Sequence, residues 1–444
     1  MEQEKKWWKE AVGYQIYPAS FKDSNQDGIG DINGIREKLG YLKELGIGFI
    51  WINPIYRSPF IDNGYDISDY QAISEMFGTM EEFDQLLEEA HRLGIKIIMD
   101  LVINHSSDQH NWFIESKKSK DNPYRDYYIW IDGTPEQAPN EWQSIFGGSA
   151  WEYSAETGQY YLHIFAKEQP DLNWESEKLK EELFAMIRWW LDKGIDGFRL
   201  DAISHVKKDE YSVNATENPF SPFQNVSGIE NHLNDLKEVF DEYDILTVGE
   251  ASGVTAEEGS EWVGKDGYFE MIFEFDHIST WKQEKEGIPK LKRALSNWQV
   301  SLDGIGWNAL YMENHDNPRV VSTFGDTSPE LWAQSAKAIA LMYFFLQGTP
   351  FIYQGQEIGM TNMPFESIDQ INAVDTKKRY QELLEKGKTP KEALRIVSES
   401  TRDNSRTPMQ WTSDKYAGFS EHEPWMIVNP NKETINVQQP SANL

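Results

Sequence analysis

The sequence predicts an α/β fold: a (β/α)8 TIM barrel with a small inserted domain after the third strand. Three observations predict it. A unit of amphipathic helix, glycine and apolar strand recurs along the chain; helix and strand go on alternating until eight strand candidates are reached; and one interval between units is roughly double its neighbour. The 444 residues suit a barrel with an insertion better than one ordinary domain.

The first strand candidate lies in YQIYPASF (14–21), before any complete unit. The recurring unit then appears as YLKELGIGFIWINPI around Gly46, EEAHRLGIKIIMDLVI around Gly94 and IRWWLDKGIDGFRLDAI around Gly194. Glycine just past a helix end takes the left-handed conformation at little cost, and the β-rich run after it suits a strand buried on both faces. Residues 105–173 fill the long interval with scattered Trp, Pro and Gly and short alternating runs such as GQYYLHIF. They predict an inserted domain that separates barrel segments 1–104 and 174–444. Beyond it, ILTVGE, FEMIFEF, WNALYMENHD and TPFIYQGQEIG supply the later strands, with IENHLNDLKEVF and SAKAIALMYFFLQ as helices between them. Alternation alone also admits an open doubly wound sheet; the count of eight favours closure.

Composition narrows the partners. A net charge of -31 disfavours nucleic acid or an anionic membrane and suits a small neutral or cationic ligand. Aromatic residues make up 13%, including 17 Trp, and faces of that kind stack on sugar rings. The opening MEQEKKWWKE has no apolar core of a signal peptide, and no apolar run reaches the ~18 residues of a membrane span. Without Cys there are no disulfides or thiolate metal sites, and a cytoplasmic location is the expectation.

Three carboxylates fall where a barrel carries its chemistry, at the carboxyl ends of strands: Asp201 after GFRL, Glu250 after ILTVG, and Asp316 in ENHDN. Two carboxyl groups flanking a glycosidic bond are the common device for glycoside hydrolysis. In GIDGFRLDAIS, Arg199 and Asp201 share one face of a strand, so Arg199 is expected to keep Asp201 ionised as a nucleophile requires. Glu250 would need the reverse, a raised pKa.

The segments DLVINH (100–105), GFRLDAISH (197–205), TVGE (247–250) and ENHDNPR (313–319) resemble the four conserved regions of the α-amylase family, glycoside hydrolase family 13. QPDLNW (169–174), NGYDISDY (63–70) and SRTPMQW (405–411) resemble its oligo-1,6-glucosidase and α-glucosidase subgroup. The resemblance implies Asp201 as nucleophile, Glu250 as acid/base and Asp316 as the group that fixes the distorted sugar. It implies Asp62, Tyr65, His105, Arg199, His315 and Arg402 as binders of the terminal glucose, with Asp62 and Arg402 closing the blind end and Arg406 as the rival for that place. Phe146 and Phe165 would shape the entrance. The reaction implied is that of a retaining, exo-acting α-glucosidase on small oligosaccharides.

The loop DSNQDGIGD (23–31) sets Asp23, Asn25, Asp27, the Ile29 carbonyl and Asp31 at alternate positions of an oxygen-rich turn, with Gly28 at its sharp point. Position 12 is Gly34 rather than Glu, so it is not an EF-hand; related glucosidases imply a structural Ca2+, or Mg2+, there. No organic cofactor is expected. The residue after the nucleophile is Ala202. In this subgroup Val there resembles α-1,6 enzymes and smaller residues or Thr resemble α-1,4 enzymes, so maltose and malto-oligosaccharides are expected, with α-1,6 bonds or sucrose as alternatives. Trehalose-6-phosphate hydrolases resemble the Val type and need a basic pocket, for which KLKR (290–293) is the nearest candidate. The family ordinarily continues with a last barrel helix and a C-terminal β-sandwich, both expected to be missing beyond NVQQPSANL, leaving an apolar barrel flank uncovered. A non-catalytic barrel, like the transporter heavy chains that resemble this architecture, is the remaining alternative; those lack the acids present here.

Overall fold

The computed structural model describes residues 6–278 and 287–439. Eight parallel strands form one sheet: β1 (Gly13–Ile16), β2 (Phe49–Ile52), β3 (Lys96–Val102), β4 (Gly197–Asp201), β5 (Leu246–Glu250), β6 (Met271–Phe273), β7 (Ala309–Leu310) and β8 (Thr349–Tyr353). Their order, β6-β5-β4-β3-β2-β1-β8-β7, brings β8 back to β1, and β6 and β7 meet at the remaining seam. The expected barrel is therefore the observed one.

Every residue of β1, β2 and β4 is buried, as their near-continuous apolar runs require. The helices outside the barrel are amphipathic. In α1 (Met80–Arg92), Phe83, Leu86, Leu87 and Ala90 form the buried stripe, and Thr79 with Glu82 closes its first turn as a capping box. α2 (Glu177–Lys193) starts at Ser176 and ends on Gly194, whose φ of 105° is left-handed as the sequence predicts. α3 (Ile229–Phe240), α4 (Gly287–Leu302) and α5 (Trp332–Phe344) continue the series, and α6 (Val374–Glu385) and α7 (Pro390–Ser400) follow β8.

Side chains alternate between the two faces of each strand. Phe49, Trp51, Leu246, Val248, Met271 and Phe351 fill the barrel interior, with Trp8 among them, whereas Phe198 and Leu200 face the helices. Arg199 and Asp201 consequently point inward. Asp100 stands opposite Arg199, Val102 opposite Asp201 and Gly249 opposite Leu200, so Glu250 ends level with Asp201.

Between β3 and β4 lies a separate antiparallel sheet of Trp130–Asp132, Gln159–Leu162 and Trp151–Ser154. A bridge between His105 and Asp171 ties the two ends of this segment together. Its apolar cluster of Ile129, Trp142, Trp151, Leu162 and Ile164 also recruits Phe223 from the loop after β4. Trp142 and Asn140 donate to the Val213 and Tyr211 carbonyls of that loop, a contribution from outside residues 105–173 that the sequence does not signal.

On the outer side of β8, a groove of about 560 Å³ is lined by Leu45, Val321, Ala336, Leu341, Phe344 and Ile352. Phe345, which also lines it, is 82% exposed. Among the described residues, no helix is long and apolar enough to cross a membrane.

Candidate active site

Arg199, 1% exposed, is the centre of the carboxyl-end cluster. Its Nη1 donates to Asp201 Oδ1 at 2.6 Å and to Asp100 Oδ1 at 2.7 Å, and its Nη2 lies 2.8 Å from Glu250 Oε1. The guanidinium also lies over the Trp51 ring, 5.0 Å from its centroid. Glu250 Oε2 accepts from the Ala202 amide at 2.8 Å. Ala202 has φ 45°, a left-handed conformation that is uncommon without glycine and costs roughly 1 kcal/mol or more. That strain accompanies an amide aimed at the Glu250 carboxylate.

The expectation that Arg199 by itself keeps Asp201 ionised is revised by this geometry. Burial pushes the Asp201 carboxyl well above the usual range; Arg199 opposes the rise, and the Glu250 and Asp100 charges add to it. Asp100 is likewise pushed up to about 6 by burial against the pull of Arg199. Among the described residues, Arg199 is thus the one guanidinium in contact with Asp100, Asp201 and Glu250 together.

Asp316 heads a second cluster. Its Oδ1 accepts from Arg406 Nη2 at 2.7 Å and Arg402 Nη1 at 3.3 Å, and His315 Nε2 is 3.1 Å from Oδ2. Burial opposes its ionisation, but His315, Arg402 and Arg406 outweigh it and hold the carboxyl well below the ordinary carboxylate range. His315 itself is lowered to about 3 by burial. Its Nδ1 meets the Gln15 amide nitrogen at 2.8 Å, so the neutral ring accepts there and its Nε2–H faces Asp316.

The two clusters are joined on both sides. Tyr65 stacks on His315 with ring centroids 5.2 Å apart and 7° between planes, and its hydroxyl donates to Asp100 Oδ2 at 3.1 Å. Arg402 Nη2 reaches Asp62 Oδ1 at 3.2 Å, and Asp62 Oδ2 accepts from Gln169 Nε2 at 3.1 Å. The same Gln169 nitrogen is 3.1 Å from His105 Nε2. Phe165 packs 5.0 Å from His105 and 5.5 Å from Phe146, whose ring lies 5.1 Å from the Arg402 guanidinium. All twelve residues singled out for catalysis and sugar binding are thus joined, directly or through Asp100 and Gln169, in one network of contacts. It is Arg402 that reaches Asp62; Arg406 instead anchors Asp316 and donates to the His315 carbonyl at 2.9 Å.

A family model described as alpha amylase, catalytic domain, matches residues 15–443. The chain belongs to the alpha-amylase family. It is a glycoside hydrolase with α-glucosidase-type relatives. A probable oligo-1,6-glucosidase of Bacillus subtilis is 55% identical over 98% of this chain and 80% of its own length, and an oligo-1,6-glucosidase of Bacillus cereus is 49% identical over 99% and 82%. Among solved structures, an isomaltulose synthase from Protaminobacter rubrum superposes with a TM-score of 0.94 at 46% identity, covering 98% of this chain and 80% of that one. The chain spans about four-fifths of the length of these relatives.

Several side chains of this alpha-amylase site were not singled out from sequence. Asp100 opens DLVINH, and its inward parity with Ile98 was the available signal. Gln169 opens QPDLNW, but its contact with Asp62 spans 107 residues and leaves no local mark. Lys208, buried at the foot of the insertion, places Nζ 2.7 Å from Asp171 Oδ2, 2.8 Å from Asn104 Oδ1 and 2.6 Å from the His205 carbonyl. It braces the segment that presents Phe165 and Gln169. KLKR lies on α4, which packs on the barrel exterior through Leu291, Trp298 and Leu302.

The acidic loop turns through Gln26 at φ 69° and Gly28 at φ 89°. Asp23 accepts from the Gln26 and Gly28 amides, Asp27 from Ile29, and Asp31 from Ser24 and from Gly34 as the N-cap of the short helix Ile32–Glu37. Among the described residues, no group of three or more His, Cys, Asp or Glu is arranged around an ion position. The donor types, three carboxylates, an amide oxygen and a backbone carbonyl, are those that a hard divalent cation takes.

Proposed function

We propose that this protein is a retaining, exo-acting α-glucosidase that releases glucose from the non-reducing end of short α-glucosides. The observation that carries the reading is the pair of adjacent strand ends, where Asp201 and Glu250 stand level and share one guanidinium, Arg199. The reaction requires Asp201 as the carboxylate, beside the Arg199 guanidinium, and Glu250 as the proton donor. Asp201 attacks the anomeric carbon as Glu250 protonates the departing glycosidic oxygen, leaving a glucosyl ester on Asp201. Glu250 then takes a proton from a water whose oxygen attacks the anomeric carbon, breaking the ester bond, which returns Asp201 to its carboxylate and releases glucose with its configuration retained. Asp316, kept anionic by its arginines, binds the sugar hydroxyls, and the Asp62–Arg402 pair closes the far end, so that only a terminal glucose fits.

The small Ala202 beside Glu250 supports a preference for α-1,4 bonds, as in maltose and malto-oligosaccharides. A second reading, α-1,6 cleavage, is favoured by the printed names of the oligo-1,6-glucosidase relatives. Sucrose enters as a further candidate because solved relatives include an isomaltulose synthase in complex with sucrose. The acidic loop is proposed to take a structural divalent cation through Asp23, Asn25, Asp27, the Ile29 carbonyl and Asp31.

Glucose release from p-nitrophenyl α-glucoside, maltose and isomaltose tests these claims together. The expected result is turnover by the wild type with maltose preferred, and a loss of at least about a thousandfold in kcat for Asp201→Asn. Undiminished turnover by that variant rules out the nucleophile assignment, and a preference for isomaltose rules out the α-1,4 reading.

A further inference from the structure

α6 touches both the Arg402 side of the site and the inserted segment. Asp375, in the first turn, accepts from Arg402, with Oδ1 3.0 Å from Nη2 and 3.2 Å from Nε. One turn further on, Lys378 Nζ donates to the Gly147 carbonyl of the insertion at 2.6 Å. Residues three apart on a helix lie on the same face. That single face therefore grips the arginine at the blind end and the rim loop at the entrance.

The rim loop is a tight turn that displays one aromatic ring. Ser144 Oγ accepts from the Phe146 amide at 3.1 Å, the Gly147 amide donates to the Ser144 carbonyl at 2.8 Å, and the Ser144 amide to the Gly148 carbonyl at 2.9 Å. Gly147 and Gly148 have φ of 86° and 78°, both in the region that favours glycine. Phe146 is carried between them and Ser144, with the Arg402 guanidinium 5.1 Å from its ring centroid and the Phe165 ring centroid 5.5 Å away in an edge-on arrangement. Lys378, Gly147, Phe146, Arg402 and Asp375 close a circuit that begins and ends on α6.

The geometry points to Lys378 as a specificity-determining positioning residue: its bond to the Gly147 carbonyl holds Phe146 against Arg402 and fixes the width of the mouth that the second sugar must pass. This rests on the proposed reading of the Asp62–Arg402 end as the seat of the terminal glucose. That seat is formed by Asp62, His105, Asp316 and their partners and does not need the rim loop. The clasp acts on whatever is attached to the terminal glucose. Lys378 is exposed and its bond is to backbone, so its removal is expected to free the loop without unfolding the barrel.

The test is Lys378→Ala, with Lys378→Arg as the conservative variant. Lys378→Ala is expected to raise KM for maltose roughly fivefold with kcat changed less than about twofold, the size of one ordinary solvent-exposed hydrogen bond. Inhibition by glucose, which occupies only the blind end, stays unchanged, and Lys378→Arg restores KM. In a Phe146→Ala background, Lys378→Ala adds nothing further, because the lysine works through that ring. An unchanged KM, an equal loss of glucose inhibition, or additive effects in the double variant each overturn the clasp. Hydrogen exchange supplies an arm independent of activity: the Ser144 and Gly147 amides are expected to exchange faster in Lys378→Ala, and identical exchange overturns the proposal. A wild type that releases no glucose counts instead against the hydrolase reading, and the exchange arm still decides the clasp.

Discussion

His205 shows how far burial governs the individual residues around this site. The ring is 4% exposed, its Nδ1 lies 2.7 Å from the Phe223 carbonyl, and burial lowers its pKa to about 4. An unfolded chain protonates the same imidazole near pH 6.5, so the folded state binds fewer protons between those limits. The fold has its full stability with respect to this group above about pH 6.5 and loses it as pH falls toward the folded value, by up to ~1.4 kcal/mol per pH unit. For His205→Gln the loss disappears. Urea unfolding at pH 7 and pH 5 is expected to show wild type giving up about 2 kcal/mol more than the variant, and parallel pH dependence would refute the buried neutral imidazole. The site acids were legible because each closes an apolar run that can only be a strand. Gln169, Asp375 and Lys208 were not, since what gives them meaning is a partner in another element: Asp62, Arg402 and Asp171.

At the scale of elements, the close approach of β4 to β5 sets a stricter requirement than any propensity. A Cβ on Gly197, which has φ 144°, would lie 1.9 Å from the Leu246 carbonyl oxygen, a backbone atom that cannot move without parting the strands that carry Asp201 and Glu250. Gly197→Ala is expected to cost at least about 3 kcal/mol. Gly40, in the short helix Leu39–Glu44, has nothing within 4 Å of the same position, and Gly40→Ala is expected to stabilise by about 0.5–1 kcal/mol. Thermal unfolding of the two variants checks the contrast, and a well-folded Gly197→Ala protein refutes the strand register. All eight strands were legible because buried parallel strands read as apolar runs and successive units pair in order. The loop 211–223 was not legible as part of the insertion's core, because Tyr211 and Phe223 are separated from Trp142 by β4, and no local period announces a contact across a strand. α6 and α7 follow the last strand and bury Thr376, Tyr380, Ala393 and Val397, a stripe that shows a helix but not what it covers.

For the molecule as a whole, the acidic loop matters through what it fastens. The Asp23 amide donates to the Phe419 carbonyl at 3.0 Å, Ser420 Oγ to Asp23 Oδ2 at 2.6 Å, and the Trp425 amide to the Gly28 carbonyl at 2.9 Å. The loop after β1 is thereby pinned to a segment some four hundred residues later, which packs Phe419 and Trp411 into the main core. A divalent cation bound among Asp23, Asn25, Asp27, the Ile29 carbonyl and Asp31 would stabilise that closure and supply no chemistry to a pocket built around Arg199. At a free concentration about a hundred times its Kd, binding to the folded state alone is worth about 2.7 kcal/mol. With an unfolding entropy near 2.1 cal/mol/K per residue, a chain of this length should then gain roughly 3 °C in Tm. Calcium added to chelator-treated protein is expected to produce that rise, magnesium a smaller one, and Asp27→Ala, at an exposed member of the proposed donor set whose loss leaves the core intact, is expected to abolish both. The same variant should turn over p-nitrophenyl α-glucoside like wild type at a temperature well below either Tm. A Tm indifferent to calcium would remove the ion from the account of this loop and leave Asp23 and Asp31 as the hydrogen-bond acceptors that shape it.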